Sequence, residues 1–385
     1  MEQLEGVSSG ELPAFLQRHD DARNRRHNEV GDSAHMAITL AYQCLPPPPV
    51  CLAAHLSSAA AASAPSDGAD RLSSLPDGVF RDVVSRLPAK DAARTAALAS
   101  RWRGLWRSVP LVLVDSHLLG VFVTTQRITV AGEDDAGSRA VAAAASAALA
   151  AHPGPFRCVR LTWSHMASHR REMARWMQLL AARGVQELDF INRPWPLDLP
   201  LPAALFKCAS LTRLHLGVWR FPDTAALPRA TAFPHLRELF LTMVLMTEQD
   251  LAFLLSCSPV LEILTIISNR FSVRLRLVSH SLRRIGGKRS ARIKIGNAPN
   301  LCMLGHWRPG EHQLGIGNAV IEAGTKVSPS TIAPSVKILS LEMQFEVRNE
   351  VKTLPSFLKC FPNVEALHLI LDSYLFLEKE FVIEC

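Results

Sequence analysis

Two histidines have the spacing of a metal site. His165 and His169 lie four residues apart, as two helix-borne metal ligands would. No nearby acidic or cysteine ligand completes a site, and the segment lacks the His-Glu-x-x-His form. We interpret the pair as part of a solvated helix face and expect no metal.

Other candidate groups lack the neighbours that catalysis needs. Gly315 and Gly317 resemble half of a dinucleotide-binding loop, but no third glycine follows and no strand–turn–helix unit surrounds them, so a loop is predicted. Cys208 and Cys257 occupy equivalent positions in a repeating pattern, which favours core packing over nucleophilic catalysis. No Ser/His/Asp triad or pair of carboxylates stands out. We expect no catalytic residue, no cofactor and no enzymatic activity.

Positive charge is concentrated in one stretch of the chain. Residues 270–294 hold nine arginine and lysine side chains and no acidic one, and subtracting these from the formal net charge of +7 leaves about −2 for the rest. The basic residues alternate with Phe271, Val273, Leu275 and Leu277, which favours a strand with one basic face. Three interpretations stay open: a solvated edge, which is favoured; a surface for an acidic partner or substrate; and a nucleic-acid site, which is favoured least.

The composition limits the class of protein. The 385 residues are 48% apolar and 20% charged, as in a globular protein long enough for two or three domains. The eight cysteines contain no Cys-x-x-Cys pair, which indicates reduced thiols rather than disulfides or zinc. There is no secretion signal and no apolar run long enough to cross a membrane. We expect a cytoplasmic and/or nuclear protein.

The stretch Leu75–Val109 predicts three short helices. Apolar residues recur with a helical period up to Pro88, which ends that pattern because the residue before a proline avoids the α region. An alanine-rich helix follows, and then a third helix with Trp102 and Trp106 on one face. So short a segment cannot bury a core alone, so its apolar side chains must find partners elsewhere in the chain or in another protein.

This segment resembles an F-box, in the form found in plant F-box proteins with leucine-rich repeats. Several spacings agree together, which makes the resemblance specific. Phe80 stands where a leucine is more usual and keeps that position apolar. The residues that carry the resemblance are Leu75 and Pro76, Ser85 to Pro88, Ala93 to Thr95, Arg101 to Arg103, and Leu105 with Trp106.

The resemblance implies that the segment binds a Skp-type adaptor and, through it, a cullin–RING ubiquitin ligase. We expect both tryptophans to be exposed and to form an apolar patch that needs a partner. Burial of each large side chain contributes roughly 1.5–3 kcal/mol, so a few anchors suffice for a specific interface. The predicted adaptor-binding residues are Leu75, Pro76, Val84, Leu87, Pro88, Leu98 and Trp102.

A repeating pattern fills the chain beyond residue 155. The motif apolar-x-x-apolar-x-apolar begins nine times, with steps of 19 to 35 residues, and all but one step fit the period of leucine-rich repeats. Because one short strand cannot bury its apolar face alone, stacked repeats must share a core. The predicted fold class is α/β: an N-terminal three-helix F-box followed by a leucine-rich-repeat solenoid, a curved parallel sheet with helices or loops outside. The motif begins at Phe156, Val185, Leu211, Leu236, Leu261, Leu282, Leu301, Val336 and Val364.

The residues between the core leucines are predicted to lie side by side on the concave face of this sheet. We interpret the face as a whole as a surface for recognising a target protein, although for any one residue an ordinary solvated sheet surface is the favoured interpretation. The candidate target-binding residues are Arg213, His215, Glu238, Phe240 and Thr265.

Composition shifts suggest where the domains begin and end. We predict a disordered leader, the F-box, a connecting segment with an Ala-rich helix, the repeats, and last repeats that resemble the start of an FBD region. The chain ends soon after its last repeat on an apolar stretch, which suggests a shortened or unusual end. The predicted boundaries are 1–70, 71–110, 111–155, 156–329 and 330–385.

Taken with the resemblance, the sequence predicts a substrate-recognition subunit of an SCF-type ubiquitin ligase. Its expected partners are a Skp-type adaptor, through it the cullin–RING ligase, and a target protein that the sequence does not identify. No membrane partner is expected, and nucleic acid is disfavoured. The alternative is a leucine-rich-repeat interaction scaffold without a role in degradation.

Overall fold

The computed structural model describes most of the chain beyond residue 74 and a short piece before it. Leu98 and most of the predicted leader lie outside the described residues. The described residues are 41–42, 44–50, 75–97, 100–118, 135–193, 198–224, 227, 231–267, 273–288, 291–308, 312–317, 319–321, 328–343, 347–371 and 379–384.

Three short helices open the main body, as the sequence predicts. Pro76 lies directly before the first helix and Pro88 directly before the second, where a missing N–H costs nothing. Four further helices lie between or beside the strands of the repeats. The helices are α1 (Asp77–Ser85), α2 (Ala89–Thr95), α3 (Ser100–Ser108), α4 (Asp135–Ala151), α5 (Arg170–Ala182), α6 (Glu248–Ser256) and α7 (Arg348–Leu358).

Fifteen strands are described, and eleven of them form one long sheet. The sheet order is β1-β2-β3-β4-β5-β6-β8-β10-β13-β14-β15, and every neighbouring pair is parallel except β14 and β15. The strands are β1 (Leu111–Val114), β2 (Phe156–Leu161), β3 (Glu187–Ile191), β4 (Arg213–Gly217), β5 (Glu238–Thr242), β6 (Ile263–Ile267), β7 (Val273–Leu277), β8 (Arg284–Lys288), β9 (Ala291–Ile295), β10 (Met303–Trp307), β11 (Gln313–Ile316), β12 (Ala319–Ile321), β13 (Ile338–Met343), β14 (Ala366–Leu371) and β15 (Lys379–Glu384).

The sheet buries one face against the helices and turns. Equivalent leucines of successive repeats pair across it: Leu188 with Leu214, and Leu239 with Leu264. All four are fully buried. Since a single strand could not cover these side chains, the repeats stabilise one another through a shared core. The predicted fold class is therefore confirmed: N-terminal helices followed by a long, mostly parallel sheet of the leucine-rich-repeat kind.

A second sheet was not predicted. Strands β7, β9, β11 and β12 leave the repeat path and form a four-stranded sheet in the order β12-β11-β9-β7. One face carries Leu277, Ile293 and Ile295, which are buried in the same core. The alternation of apolar and basic residues did predict a strand here, and β7 has that alternation. Its pairing with β9 depends on contacts between separate repeats, which a local pattern does not contain.

Candidate functional site

The helix α1 presents two different faces. Phe80 and Val84 point into the core, whereas Val79 and Val83 are 45% and 44% exposed. Both pairs have helical spacing, so the sequence periodicity could not decide which pair faces inward. The exposed apolar pair was missed by sequence reasoning.

The predicted adaptor-binding residues separate into accessible and buried groups. Pro76 is exposed, and Leu75 and Leu87 are partly exposed, so these three can contact another protein. Val84 and Pro88 are buried within the chain. Leu98 lies outside the described residues.

The expectation of two exposed tryptophans is wrong for Trp102. Its side chain is only 6% exposed and packs edge-on against Phe80, with ring centroids 4.0 Å apart. Trp106 is partly buried, and its ring contacts that of His152, with centroids 4.7 Å apart. The reason is that the helices find their partner in the chain itself: Trp102 belongs to the same continuous core as Leu111 of β1. Its role is to hold the helices together.

The junction between these helices and the repeats is tightly packed. His152 contacts Trp106 on α3 and also Phe156 at the start of β2, with centroids 5.2 Å apart. A Cβ atom on Gly154 would lie 2.5 Å from the carbonyl oxygen of Arg107, so glycine permits this close approach. The position of α3 is thus coupled to the first repeats.

The five candidate target-binding residues lie together on the sheet face opposite to the core, which we call the non-core face. Arg213 pairs in register with Glu238, and His215 pairs with Phe240, which pairs with Thr265. The Arg213 guanidinium also forms an ion pair with Glu187, 2.5 Å away. The predicted neighbourhood is present, and its role in target binding stays a prediction.

His215 is not a solvated surface residue. It is 1% exposed, and its Nε2 lies 3.1 Å from the hydroxyl of Thr242. Burial lowers its pKa to about 4, so the imidazole is neutral at pH 7. Beside it, the buried Asp189 accepts hydrogen bonds from Arg160, 2.8 Å away. Arg160 was not singled out from the sequence because its partner lies in the next repeat.

A segment of the predicted leader covers this part of the non-core face. Residues 41–42 and 44–50, which we call the cover segment, contact β1 to β4. Disorder was expected over 1–70, and for the cover segment the structure differs from that expectation. Its only local signal was the block Pro46–Pro49, which restricts the backbone before any contact forms.

The basic stretch forms an exposed face of the second sheet. Arg276 on β7 pairs in register with Lys294 on β9, and both side chains are exposed, as is that of Arg292. Within the described ranges none of these three forms an ion pair. Like charges directly opposite each other are unfavourable, so this face carries an electrostatic cost.

The other candidate residues fall into ordinary structural positions. His169 is buried directly before α5, with Nε2 3.4 Å from the Ser138 hydroxyl, so the expected solvated helix face is wrong. Gly315 lies in β11 rather than in a loop, and Gly317 follows with a positive φ of 59°. Cys208 is buried, and burial raises its pKa to about 12, which fits core packing.

The described part of the chain contains neither a cluster of metal ligands nor a membrane-spanning helix. No group of three His, Cys, Asp or Glu side chains in this part of the chain is placed to hold a metal ion. None of the helices found there has the length and apolar character needed to cross a bilayer.

The fold defines a class of protein: a module of three short helices joined to leucine-rich repeats. Comparison with protein families agrees. An F-box domain matches residues 72–113, and the family described as "FBD-associated F-box protein At5g56370, LRR repeats" matches residues 173–290 and 285–369. The repeat match alone covers half of the chain. The chain therefore belongs to the FBD-associated F-box proteins with leucine-rich repeats, a family whose members are typically non-enzymatic adaptors.

Individual relatives are plant proteins. The F-box/FBD/LRR-repeat protein At4g00315 of Arabidopsis thaliana is 31% identical over 252 residues, which is 61% of this chain and 52% of the relative. The F-box/LRR-repeat protein At3g59200 of the same plant is 31% identical over 203 residues, or 52% of this chain and 37% of the relative. The chain spans about half the length of the first curated relatives it matches. No solved structure matches it.

Proposed function

We propose that the chain is a substrate-recognition subunit of an SCF-type cullin–RING ubiquitin ligase. The observation that carries the proposal is the F-box match over residues 72–113, together with an apolar, solvent-facing side of α1 at the end of the repeat sheet. In this proposal the helices bind a Skp-type adaptor and the repeats bind a target protein.

The adaptor surface consists of the accessible apolar residues at the start of α1 and along its outer side. Val79 and Val83 lie four residues apart and therefore face the same direction. Exposed apolar side chains on one helix face favour a protein partner because their burial removes them from water. The proposed adaptor-binding residues are Leu75, Pro76, Val79, Val83 and Leu87.

The proposed mechanism is proximity. Other subunits would carry out ubiquitin transfer, while this chain holds a target at a fixed distance from them and so raises its effective concentration. This requires a rigid connection between the two binding surfaces. The packing of His152 between Trp106 and Phe156 supports such a connection.

A pull-down with charge substitutions on the outer face of α1 tests the adaptor interface. We expect Val79→Asp/Val83→Asp to lose adaptor binding at least tenfold, because each carboxylate would have to be desolvated in an apolar interface. The fold should survive because both side chains are exposed. Binding is measured with the purified Skp-type adaptor, and folding by circular dichroism.

Val351→Asp is the matched control. Val351 is also a helix residue, 40% exposed, but it lies on α7, far along the chain from α1. This variant should bind the adaptor as the unmodified chain does. If the unmodified chain fails to bind, or if both variants lose binding alike, the proposed interface is wrong.

A reconstituted ligase separates the two functional interpretations. The ligase role would be supported if a captured target is polyubiquitinated by the unmodified chain but not by the Val79→Asp/Val83→Asp variant. Adaptor binding without ubiquitin transfer to any captured protein would contradict that role and leave an interaction scaffold.

A further inference from the structure

The outer face of the second sheet is open to solvent. Leu277 on β7 and Ile293 on β9 point into the main core. Residues that alternate with them point the opposite way, and the cations Arg276, Arg292 and Lys294 are all exposed. We call this side the basic face. It lies away from the non-core face of the main sheet, because the two sheets pack their apolar sides into the same core.

The three cations are held close together without a compensating charge. Arg276 and Lys294 are paired in register on neighbouring strands, whose backbones are about 4.8 Å apart. Arg292 lies two residues before Lys294 on the same strand. In the described part of the chain none of the three is ion-paired. A carboxylate brought between them from outside would replace repulsion with attraction.

Two exposed valines border the basic face. Val320 on β12 pairs in register with Gly315, which pairs with Lys294, so these three residues form one row across the strands. Val278 directly follows β7 and lies beside Gly296, where a Cβ atom would be 3.3 Å from the valine Cγ2. Val278 is 54% exposed and Val320 50%, the highest values among the large apolar side chains described. The cations therefore have apolar neighbours on two sides.

Gly315 leaves a gap in this row. A Cβ atom there would lie 3.4 Å from the carbonyl oxygen of Ala319 and 3.5 Å from Cγ of Lys294, which are ordinary contacts. The packing thus does not require glycine at this position, although glycine inside a strand is destabilising. The consequence is space for a foreign side chain between the stem of Lys294 and Val320.

The mixture of cations and valines favours a protein partner over a nucleic acid. Phosphate backbones are bound by many cations, and single-stranded bases are bound by stacking on aromatic rings. The described residues of the basic face include no aromatic side chain, and outside residues 270–294 the chain has a formal charge of about −2. Exposed valines have no counterpart on a phosphate backbone, whereas protein segments combine carboxylates with apolar side chains.

We propose that the basic face is a docking surface for an acidic protein segment in which an apolar side chain lies beside two or more carboxylates. The carboxylates pair with Arg276, Arg292 and Lys294, and the apolar side chain contacts Val320 across Gly315. Charge complementarity determines this choice of partner. The surface is separate from the adaptor and target surfaces proposed above and does not depend on them.

One acidic residue lies close to the basic face. Glu248, in the first turn of α6, lines an open cavity of about 650 Å³ together with Arg276. No ion pair joins these two side chains within the described residues, and Arg276 stays exposed. Glu248 repels an acidic partner, so its removal should have the opposite effect to the removal of a cation.

Binding of labelled peptides to the full chain tests the docking surface. The first probe is a fluorescein-labelled peptide with four repeats of Glu-Ser-Glu-Ser-Leu, which supplies carboxylates and apolar side chains. In the second probe glutamine replaces every glutamate, and in the third serine replaces every leucine. Fluorescence anisotropy measures the affinities at low and high salt. We expect the first probe to bind most tightly and to lose affinity at high salt, because exposed ion pairs are screened.

Paired charge variants locate the binding. Arg276→Gln/Lys294→Gln should weaken binding of the first probe about fivefold, which corresponds to about 1 kcal/mol from two exposed ion pairs. Arg283→Gln/Arg284→Gln is the matched control, since it also removes two exposed cations of the same basic stretch but neither belongs to the second sheet. It should change the affinity by about twofold or less. Circular dichroism checks that both variants fold.

Two further variants test the neighbours of the cations. Glu248→Gln should strengthen binding of the first probe about twofold, because a repulsive charge is removed. Val278→Ser/Val320→Ser should weaken binding of the first probe but not of the third, which has no leucine to bury.

Several outcomes would overturn the docking surface. Equal losses in the two paired charge variants, or no measurable binding of the first probe, would leave a solvated edge. Tighter binding of single-stranded DNA that is lost in Arg276→Gln/Lys294→Gln would indicate a nucleic acid. A dimer of the chain that the same variant dissociates in sedimentation would identify a second copy as the occupant. No ligase component is present, so these assays can fail while adaptor binding succeeds, and the reverse.

Discussion

Three buried titratable residues have strongly shifted pKa values. Burial lowers the pKa values of His215 and His312 to about 4 each, whereas it raises the pKa of Asp115 to about 6 although backbone N–H groups of Thr162 and Trp163 donate to that carboxylate. The two histidines resist protonation in the folded chain, and Asp115 favours it. Their contributions to stability therefore have opposite signs over the same pH range.

The histidine contribution can be isolated with His215→Gln. A folded-state pKa below the unfolded value of 6.5 gives stability that is present above pH 6.5 and is lost as the pH falls towards 4. Full protonation would cost about 3 kcal/mol, since each pKa unit corresponds to about 1.4 kcal/mol. Between pH 7 and pH 4, the free energy of unfolding should fall by about 3 kcal/mol less in His215→Gln than in the unmodified chain. Urea denaturation at the two pH values measures this difference.

The exposed His235 offers a control for this comparison. The control variant is His235→Gln. If His215→Gln and the unmodified chain lose equal stability on acidification, then His215 is not held neutral by its surroundings. The opposite contribution of Asp115 is common to all three proteins and cancels between them.

Among the elements, the strands of the second sheet are held in an electrostatically unfavourable arrangement. Arg276 and Lys294 face each other across β7 and β9, while the apolar side of these strands is buried. The burial offsets the repulsion, because apolar burial in a shared core is worth more than a few tenths of a kcal/mol. The acidic-partner interpretation of this face stays a prediction.

Replacing one cation should therefore stabilise the fold. We expect Lys294→Glu to raise the free energy of unfolding by about 0.5–1 kcal/mol at low salt, because a repulsive pair becomes an attractive one. The gain should shrink at high salt through screening. Lys337→Glu is the control and should lower the free energy of unfolding. The Nζ atom of Lys337 lies 2.6 Å from Oε1 of Glu365, so this change replaces an attractive pair with a repulsive one. If Lys294→Glu lowers the free energy of unfolding instead, then Arg276 and Lys294 do not repel each other appreciably in the folded chain.

On the scale of the whole molecule, one continuous core joins the helices to the last repeats. It extends from Phe80 on α1, through the leucines of the sheet, to Phe361 after α7. Such a core couples each repeat to its neighbours, since no repeat can separate from the next without exposing apolar surface. The proposed adaptor surface is thereby connected to the non-core face of the repeats through packed side chains.

Gly154→Ala tests this junction. The added Cβ would lie 2.5 Å from the Arg107 carbonyl oxygen, so the backbone must shift, at a cost of about 1–3 kcal/mol. We expect faster hydrogen exchange in residues 100–114, with little change in residues 236–267. Gly104→Ala is the control, since its Cβ would meet nothing within 4 Å on helix α3, and it should stabilise by about 1 kcal/mol. Equal exchange in both variants would contradict a tight junction.

Features of this fold that depend on interactions within a few residues were predictable from the sequence, whereas features that depend on distant contacts were not. The positions of the nine repeat strands and of the three N-terminal helices were predictable, because apolar spacing and the prolines at residues 76 and 88 act within a few residues. The five candidate residues of the non-core face were also predictable as neighbours, since repeats of similar length stack in register. The exposed pair Val79 and Val83 was not, because two faces of α1 are equally apolar.

The amino-acid pattern alone thus establishes the class of fold, the F-box resemblance and the residues that alternate across the repeats. Contacts between distant parts of the chain determine the burial of Trp102, the second sheet and the cover segment. The hydrogen bond from Arg160 to Pro46 joins residues 114 positions apart, and no local period encodes such a pair. The physical reason is that apolar periodicity specifies which side chains must leave water, whereas the packed chain selects what covers them.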